Sequence, residues 1–201
     1  MQNAVQWELF VNKSRPETQL ITSLPEFCLA SLRQMRAPLL KNTLNRLASG
    51  NVGEKMWQSE FYAASTTFLA QEIFVSSEVG TDDRKGIIDF IIHDGFKWGV
   101  EFLVGGKNLG EHLHRFHSSG GIYSTLDLDA YLVVDFRPKP PYQTIEELSN
   151  VIASQQTWPG ENFWVVFYEP DFSLMTVFCE PNKRPLFLAL QQTQPEQTED
   201  P

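Results

Sequence analysis

Cysteine is nearly absent from this chain. Only Cys28 and Cys179 occur in 201 residues, far apart and in no CxxC or CxxH arrangement. A disulfide framework and a zinc knuckle are thereby excluded, and two buried thiols in a reducing compartment are expected. Long apolar runs are also missing. None approaches the roughly 18–20 residues that a membrane-spanning helix needs. The opening MQNAVQWELFVNKSRP has no basic start ahead of an apolar core, so no secretory signal is read there. The expectation is a soluble intracellular chain, cytoplasmic or nuclear, with no membrane partner. A secreted-effector origin would call for a signal peptide that is not seen.

Positive charge is scarce too: 16 Lys and Arg against 25 Asp and Glu, a net charge of −9. Affinity for nucleic acid comes largely from cations meeting phosphates. A chain this acidic must gather its basic residues on one face or borrow them from a partner. Arg84, Lys85, Lys97, Lys107 and Arg115 all fall near the middle of the sequence. A phosphate-binding loop is lacking as well. GVEFLVGGKNLG is glycine-rich, but its lysine is not followed by Ser or Thr.

What is present is enough apolar material for one sizeable core, with 42% hydrophobic residues and 15 Phe. The chain divides into an N-terminal helical segment, 1–53, packing on a core at 54–190, and an acidic tail, 191–201, expected to be disordered. Within the first segment, residues 26–47 have a helical pattern that Pro38 breaks or kinks. A better defined helix covers about 54–70, where Trp57, Phe61, Ala64 and Phe68 make one apolar stripe. Glu60 lies at the edge of that stripe. Strands are expected at 72–79, 86–92, 96–104 and 129–136, and a hairpin at 162–168 and 174–180. A helix capped by Asn108, with Glu111 three residues on, runs toward Gly120-Gly121, and Thr144 with Glu147 begins another. The fold class expected is α/β (α+β): a mixed central sheet flanked by helices.

The stretch that concentrates the chemistry is 86–116, GIIDFIIHDGFKWGVEFLVGGKNLGEHLHRF. Asp89 and Glu101 each sit inside an apolar strand, where a carboxylate is costly unless it is paired or binds a metal. A His93-Asp94-Gly95 loop would set Ile92 opposite Phe96, and Asp89 and Glu101 would share a face as diagonal neighbours. A two-residue turn would send them to opposite faces. On the next helix, His112 falls within the Leu109–Leu113–Phe116 stripe and Arg115 lies one turn away. His93 is read as a loop residue, and His114 and His117 as solvent-facing.

Carboxylates on two adjacent strands suit Mg²⁺ or Mn²⁺ and phosphodiester hydrolysis. The order of elements from residue 54 resembles the PD-(D/E)XK nuclease superfamily, whose core is restriction-endonuclease-like. Trp98-Gly99-Val100-Glu101-Phe102-Leu103, Gly106, Glu111-His112-Leu113-His114-Arg115-Phe116 and Gly121-Ile122-Tyr123 resemble the nuclease-like C-terminal domains of Crinkler-type effectors. That resemblance implies Asp89 and Glu101 as metal ligands, with Glu60 as the helical acid. It also implies an assisting polar residue on the following helix, a role open to His112 or Arg115. The family's lysine position holds Leu103, so Lys97, Lys107 or Lys85 would have to stand in. Two functions follow as expectations. One is a metal-dependent nuclease acting on DNA. The other is a catalytically degenerate module that binds DNA or a host or nuclear protein, with Arg115 neutralising an acid.

Overall fold

The computed structural model describes residues 21–46, 52–67, 73–81, 86–93, 95–154 and 158–192. The first 20 residues, and the expectations for Phe68 and for Arg84 and Lys85 as nearby cations, lie outside the described residues. So does most of the acidic tail.

Seven strands form one sheet in sequence order: β1 (Phe74–Gly80), β2 (Ile87–His93), β3 (Lys97–Val104), β4 (Ala130–Pro138), β5 (Phe163–Tyr168), β6 (Leu174–Phe178) and β7 (Leu186–Ala189). β3, β4 and β5 run parallel, and every other neighbouring pair is antiparallel. The chain is therefore a mixed α/β protein, as its alternating patterns predict. Among the described residues, no helix is long and apolar enough to cross a membrane.

Helices cover both faces. On one side lie α1 (Leu24–Gln34), α2 (Ala37–Arg46) and α3 (Glu54–Thr66). Their apolar residues join Phe90, Phe102, Leu132, Phe136 and Tyr168 in the main core. Trp57 stacks on Phe136 with ring centroids 4.2 Å apart, and Phe61 packs against both Phe90 and Phe102. On the other side lie α4 (Leu109–Arg115) and α5 (Ile145–Ser154), over Leu103, Val133, Val165 and Phe167. Each connects two successive parallel strands, and crossovers of one hand place both on one face.

Several local expectations are corrected. Of the break or kink expected at Pro38, the break is found, slightly upstream: α1 ends at Gln34, and Pro38 stands in the first turn of α2, where a missing N–H costs little. Asn108 is not a side-chain cap. It adopts a left-handed conformation (φ 55°) with no side-chain cap hydrogen bond, and α4 ends at Arg115, short of Gly120. Thr144 and Glu147 do form a reciprocal capping box, at 2.7 and 3.1 Å. Gln191 is not part of a free tail: it makes a parallel bridge with Arg36, between α1 and α2. Cys28 is buried, as expected of a thiol outside any disulfide, and Cys179 is half-buried.

The β2–β3 register also differs from the one expected. Ile92 pairs with Trp98, Ile91 with Gly99 and Phe90 with Val100, and His93 closes β2 opposite Lys97. The turn thus includes Phe96, whose ring stacks on Trp98 at 3.5 Å. That contact rewards a turn one residue further along than the one inferred from Gly95 alone. The slip is two positions in the pairing, which keeps the parity expected of residues 89 and 101; the ladder itself ends at Phe90↔Val100, just short of them.

Candidate functional site

The β2–β3 ladder stops at Phe90↔Val100. One residue beyond it, Asp89 replaces the main-chain partner. Its Oδ2 accepts the Phe102 N–H at 2.7 Å, and its Oδ1 accepts Gln58 Nε2 at 2.7 Å. Gln58 also donates to Glu54 Oε1 at 3.2 Å, so one amide nitrogen ties an acid of α3 to an acid of β2. Glu54 and Gln58 are one helical turn apart on the same side of α3.

Glu101 is gripped from the α4 side. It is 2% exposed, and both of its donors crowd onto one oxygen. His112 Nδ1 lies 2.6 Å and Arg115 Nη1 2.5 Å from Oε1. Oε2 is buried and has no hydrogen-bond partner. Tyr123, also buried, stands beside this pair, and it donates its hydroxyl proton to the Ile87 carbonyl at 2.5 Å.

The electrostatics follow from this crowding. Burial pushes the Asp89 carboxyl up to about 7, and the charges of Glu101 and Glu54 push the same way; the Phe102 and Gln58 hydrogen bonds oppose them. Burial also pushes Glu101 up to about 7, against the Tyr123 and Arg115 interactions. His112 is held below its ordinary value, first by burial and then by the Arg115 charge. Its imidazole is therefore neutral at pH 7. With Glu101 ionised, Nδ1 carries the proton and Nε2 presents a lone pair.

Each residue singled out in the sequence can now be placed. Asp89, Glu101, His112 and Arg115 belong to this cluster. Glu60 does not. It is 3% exposed and pairs with Arg36, whose Nη2 lies 2.8 Å from Oε1. The reason is helical geometry: Glu54 and Glu60 sit about 120° apart around α3, on opposite flanks of the Trp57–Phe61 stripe. From sequence both flanks look alike. Lys97 lies four residues before Glu101 on β3, about 13 Å along the strand, and is not brought to it. Lys107 is exposed in the turn after β3. Leu103 is 1% exposed and packed in the second core, so it offers no route for a side chain to the acids. His93 ends β2 half-buried, and His114 and His117 are exposed.

Among the described residues, no group of three or more His, Cys, Asp or Glu is arranged to hold a metal ion. The carboxylates nearby are oxygen donors, the ligand type of a hard divalent cation, yet they are not gathered into a coordinating set. Three carboxylates act on one another electrostatically, and one buried carboxylate oxygen lacks a hydrogen bond of good geometry. Asp89 is held by Gln58 and a main-chain amide, and Glu101 through Oε1 alone by His112 and Arg115.

No protein-family model, no curated protein and no solved structure matches this chain.

Proposed function

We propose that this cluster is the active site of a metal-dependent nuclease-like domain that hydrolyses DNA phosphodiester bonds, on a restriction-endonuclease-like version of the mixed sheet. The observation that supports the reading is Glu101 Oε2, a buried carboxylate oxygen beside the Tyr123 hydroxyl and two further acids, with no hydrogen bond of good geometry. Asp89, Glu101 and, in place of Glu60, Glu54 would hold Mg²⁺ or Mn²⁺. Bound there, such an ion supplies neutralisation of the scissile phosphate and a more acidic water. His112 accepts a proton from the attacking water at Nε2 while Glu101 fixes its tautomer through Nδ1. Arg115 offers positive charge to the oxygens of the phosphate. The site of action would be the cytoplasm or nucleus.

The test is supercoiled plasmid incubated with Mg²⁺ or Mn²⁺, comparing the wild-type chain with Asp89→Ala. Metal-dependent nicking by the wild type and none by the variant supports the proposal; equal cleavage, or none by either, refutes it.

One observation favours a second reading. Arg115 and His112 already occupy Glu101, and Leu103 fills the position of the family's lysine. A degenerate site of this kind would serve as an interaction module for DNA or a host or nuclear protein. It predicts an unchanged melting temperature on adding Mg²⁺. A metal-induced rise that Glu101→Ala abolishes counts against it.

A further inference from the structure

Away from the acid cluster, a second charged group is built at the carboxyl ends of the parallel strands. Asp135 in β4 is fully buried, and both of its oxygens are engaged. Oδ1 accepts the Gly106 N–H at 2.8 Å, and Oδ2 faces Nε of Arg137 at 2.7 Å and Nη2 at 2.6 Å. Arg137 has five N–H donors, and two nitrogens of its fork face Asp135. The rest of the guanidinium has no partner among the described residues, and a quarter of the side chain is exposed. A buried carboxylate is expensive to maintain, and here it fixes a guanidinium at the rim of the sheet.

Gly106 completes the cradle. Its φ is +69°, and a Cβ there would lie 3.0 Å from Arg137 Nη2 and 3.4 Å from Asp135 Oδ2. The next residue, Lys107, is exposed and likewise unpartnered among the described residues. The third cation at this end, Lys139, is paired with Glu169 at 2.7 Å, as Arg137 is with Asp135. In a chain with net charge −9, Arg137 and Lys107 are cations at this rim with donors to offer.

We infer that Arg137, oriented by Asp135 and flanked by Lys107, is a phosphate-binding subsite that grips the substrate backbone away from the scissile bond. Val133 is the register partner of Glu101, and Arg137 lies four residues further along β4. The subsite is therefore about 13 Å beyond the acid cluster in the strand direction. The inference rests on the phosphodiester reading above. It adds that backbone grip and chemistry are separate, so each can be removed alone.

The experiment is fluorescence anisotropy of a short labelled duplex, titrated with the full chain in Ca²⁺ at several salt concentrations. Arg137→Gln is expected to weaken binding about tenfold and to lower the salt slope by about one phosphate contact. Arg137→Lys should restore part of the affinity and the slope. Because Arg137→Gln leaves Asp135 unpaired, the double variant Asp135→Asn/Arg137→Gln and the surface variant Lys107→Ala are measured alongside it, with a thermal melt of each. Both should bind more weakly than wild type at unchanged melting temperature or after correction for it. Binding and salt slope identical to wild type in all of these would overturn the subsite and leave Arg137 as a pin for the β3–α4 turn. That result with intact metal-dependent cleavage sinks the subsite alone. Arg137-dependent binding without cleavage sinks the catalytic reading alone. No duplex binding by the wild type sinks the subsite, whatever cleavage shows.

Discussion

The main-chain N–H of Phe102 donates to Asp89 Oδ2 at 2.7 Å, where β2 and β3 stop pairing. An aspartate side chain thus substitutes for a ladder hydrogen bond and lets the two strands separate around the acids. Asp89 is held by a strand on one side and by Gln58 of α3 on the other, so its carboxyl cannot turn away to water.

The first consequence is pH dependence. Asp89 and Glu101 both have carboxyls raised to about 7. An unfolded aspartate titrates near 3.9. Between about pH 4 and 7 the native state therefore binds more protons than the unfolded one, and stability falls as pH rises through that window. The wild-type melting temperature, measured against that of Asp89→Asn, is expected to decline from pH 4 to pH 7. The raised pKa values are contradicted if the difference between the two proteins is flat or rises with pH.

Arg36 and Glu60 give a second prediction. Arg36→Ala leaves a carboxylate that is 2% exposed without its partner, and a loss of about 3 kcal/mol is expected in a denaturant melt. Replacing both residues, as Arg36→Met with Glu60→Gln, should recover much of that loss. Cleavage by Glu60→Gln should match wild type once the protein is folded, because Glu60 faces away from the acid cluster. Loss of cleavage at full stability would return Glu60 to the site.

A lysine introduced at position 103 should not create activity. Leu103 is 1% exposed, pairs in register with Asp135, and packs among Val133, Leu148 and Phe163. Both oxygens of Asp135 are already engaged. Leu103→Lys is expected to cost several kcal/mol and to give no gain in cleavage. A stable and more active variant would show that the position still opens onto the site.

Gly121 holds the end of α4 in place. A Cβ there would lie 2.4 Å from the Arg115 carbonyl oxygen, 2.6 Å from that of His117 and 2.7 Å from that of His114. Main-chain atoms cannot step aside as side-chain tips can. Gly121→Ala is expected to destabilise by about 3 kcal/mol and to disturb the Arg115–Glu101 pair. Thermal melts would reveal the first effect. The second would appear as a changed pH profile of stability, relative to wild type, in the range where Glu101 titrates.

Much of this was legible in the sequence, for identifiable reasons. Period-two and period-3.6 patterns located the strands and α3, because each buries one face and those faces must be apolar. The convergence of Asp89, Glu101, His112 and Arg115 followed from strand parity and helical spacing, both short-range rules. Glu54 was missed because a helix has two flanks beside its stripe, and nothing local says which one meets the sheet's acids. The β2–β3 pairing was off by two because the local Phe96–Trp98 ring stack is a side-chain contact that turn rules do not contain. Arg137 escaped because its partner Asp135 and its neighbour Gly106 come together only through the parallel pairing of β3 with β4.

The bridge between Arg36 and Gln191 has a consequence for how the molecule comes apart. Arg36 also reaches Glu60, and the Gln191 N–H donates to the Met35 carbonyl at 3.1 Å. Helices from the first quarter of the chain and the last strand therefore clasp each other across the sheet's main core. A fragment starting at residue 54 would lose the lining of that core, namely Phe27, Leu32, Met35 and Leu40. Residues 24–46 are thus not a detachable prefix. The described parts of the chain should unfold in one cooperative step, with the clasp among the last contacts to close during folding because it joins such distant segments.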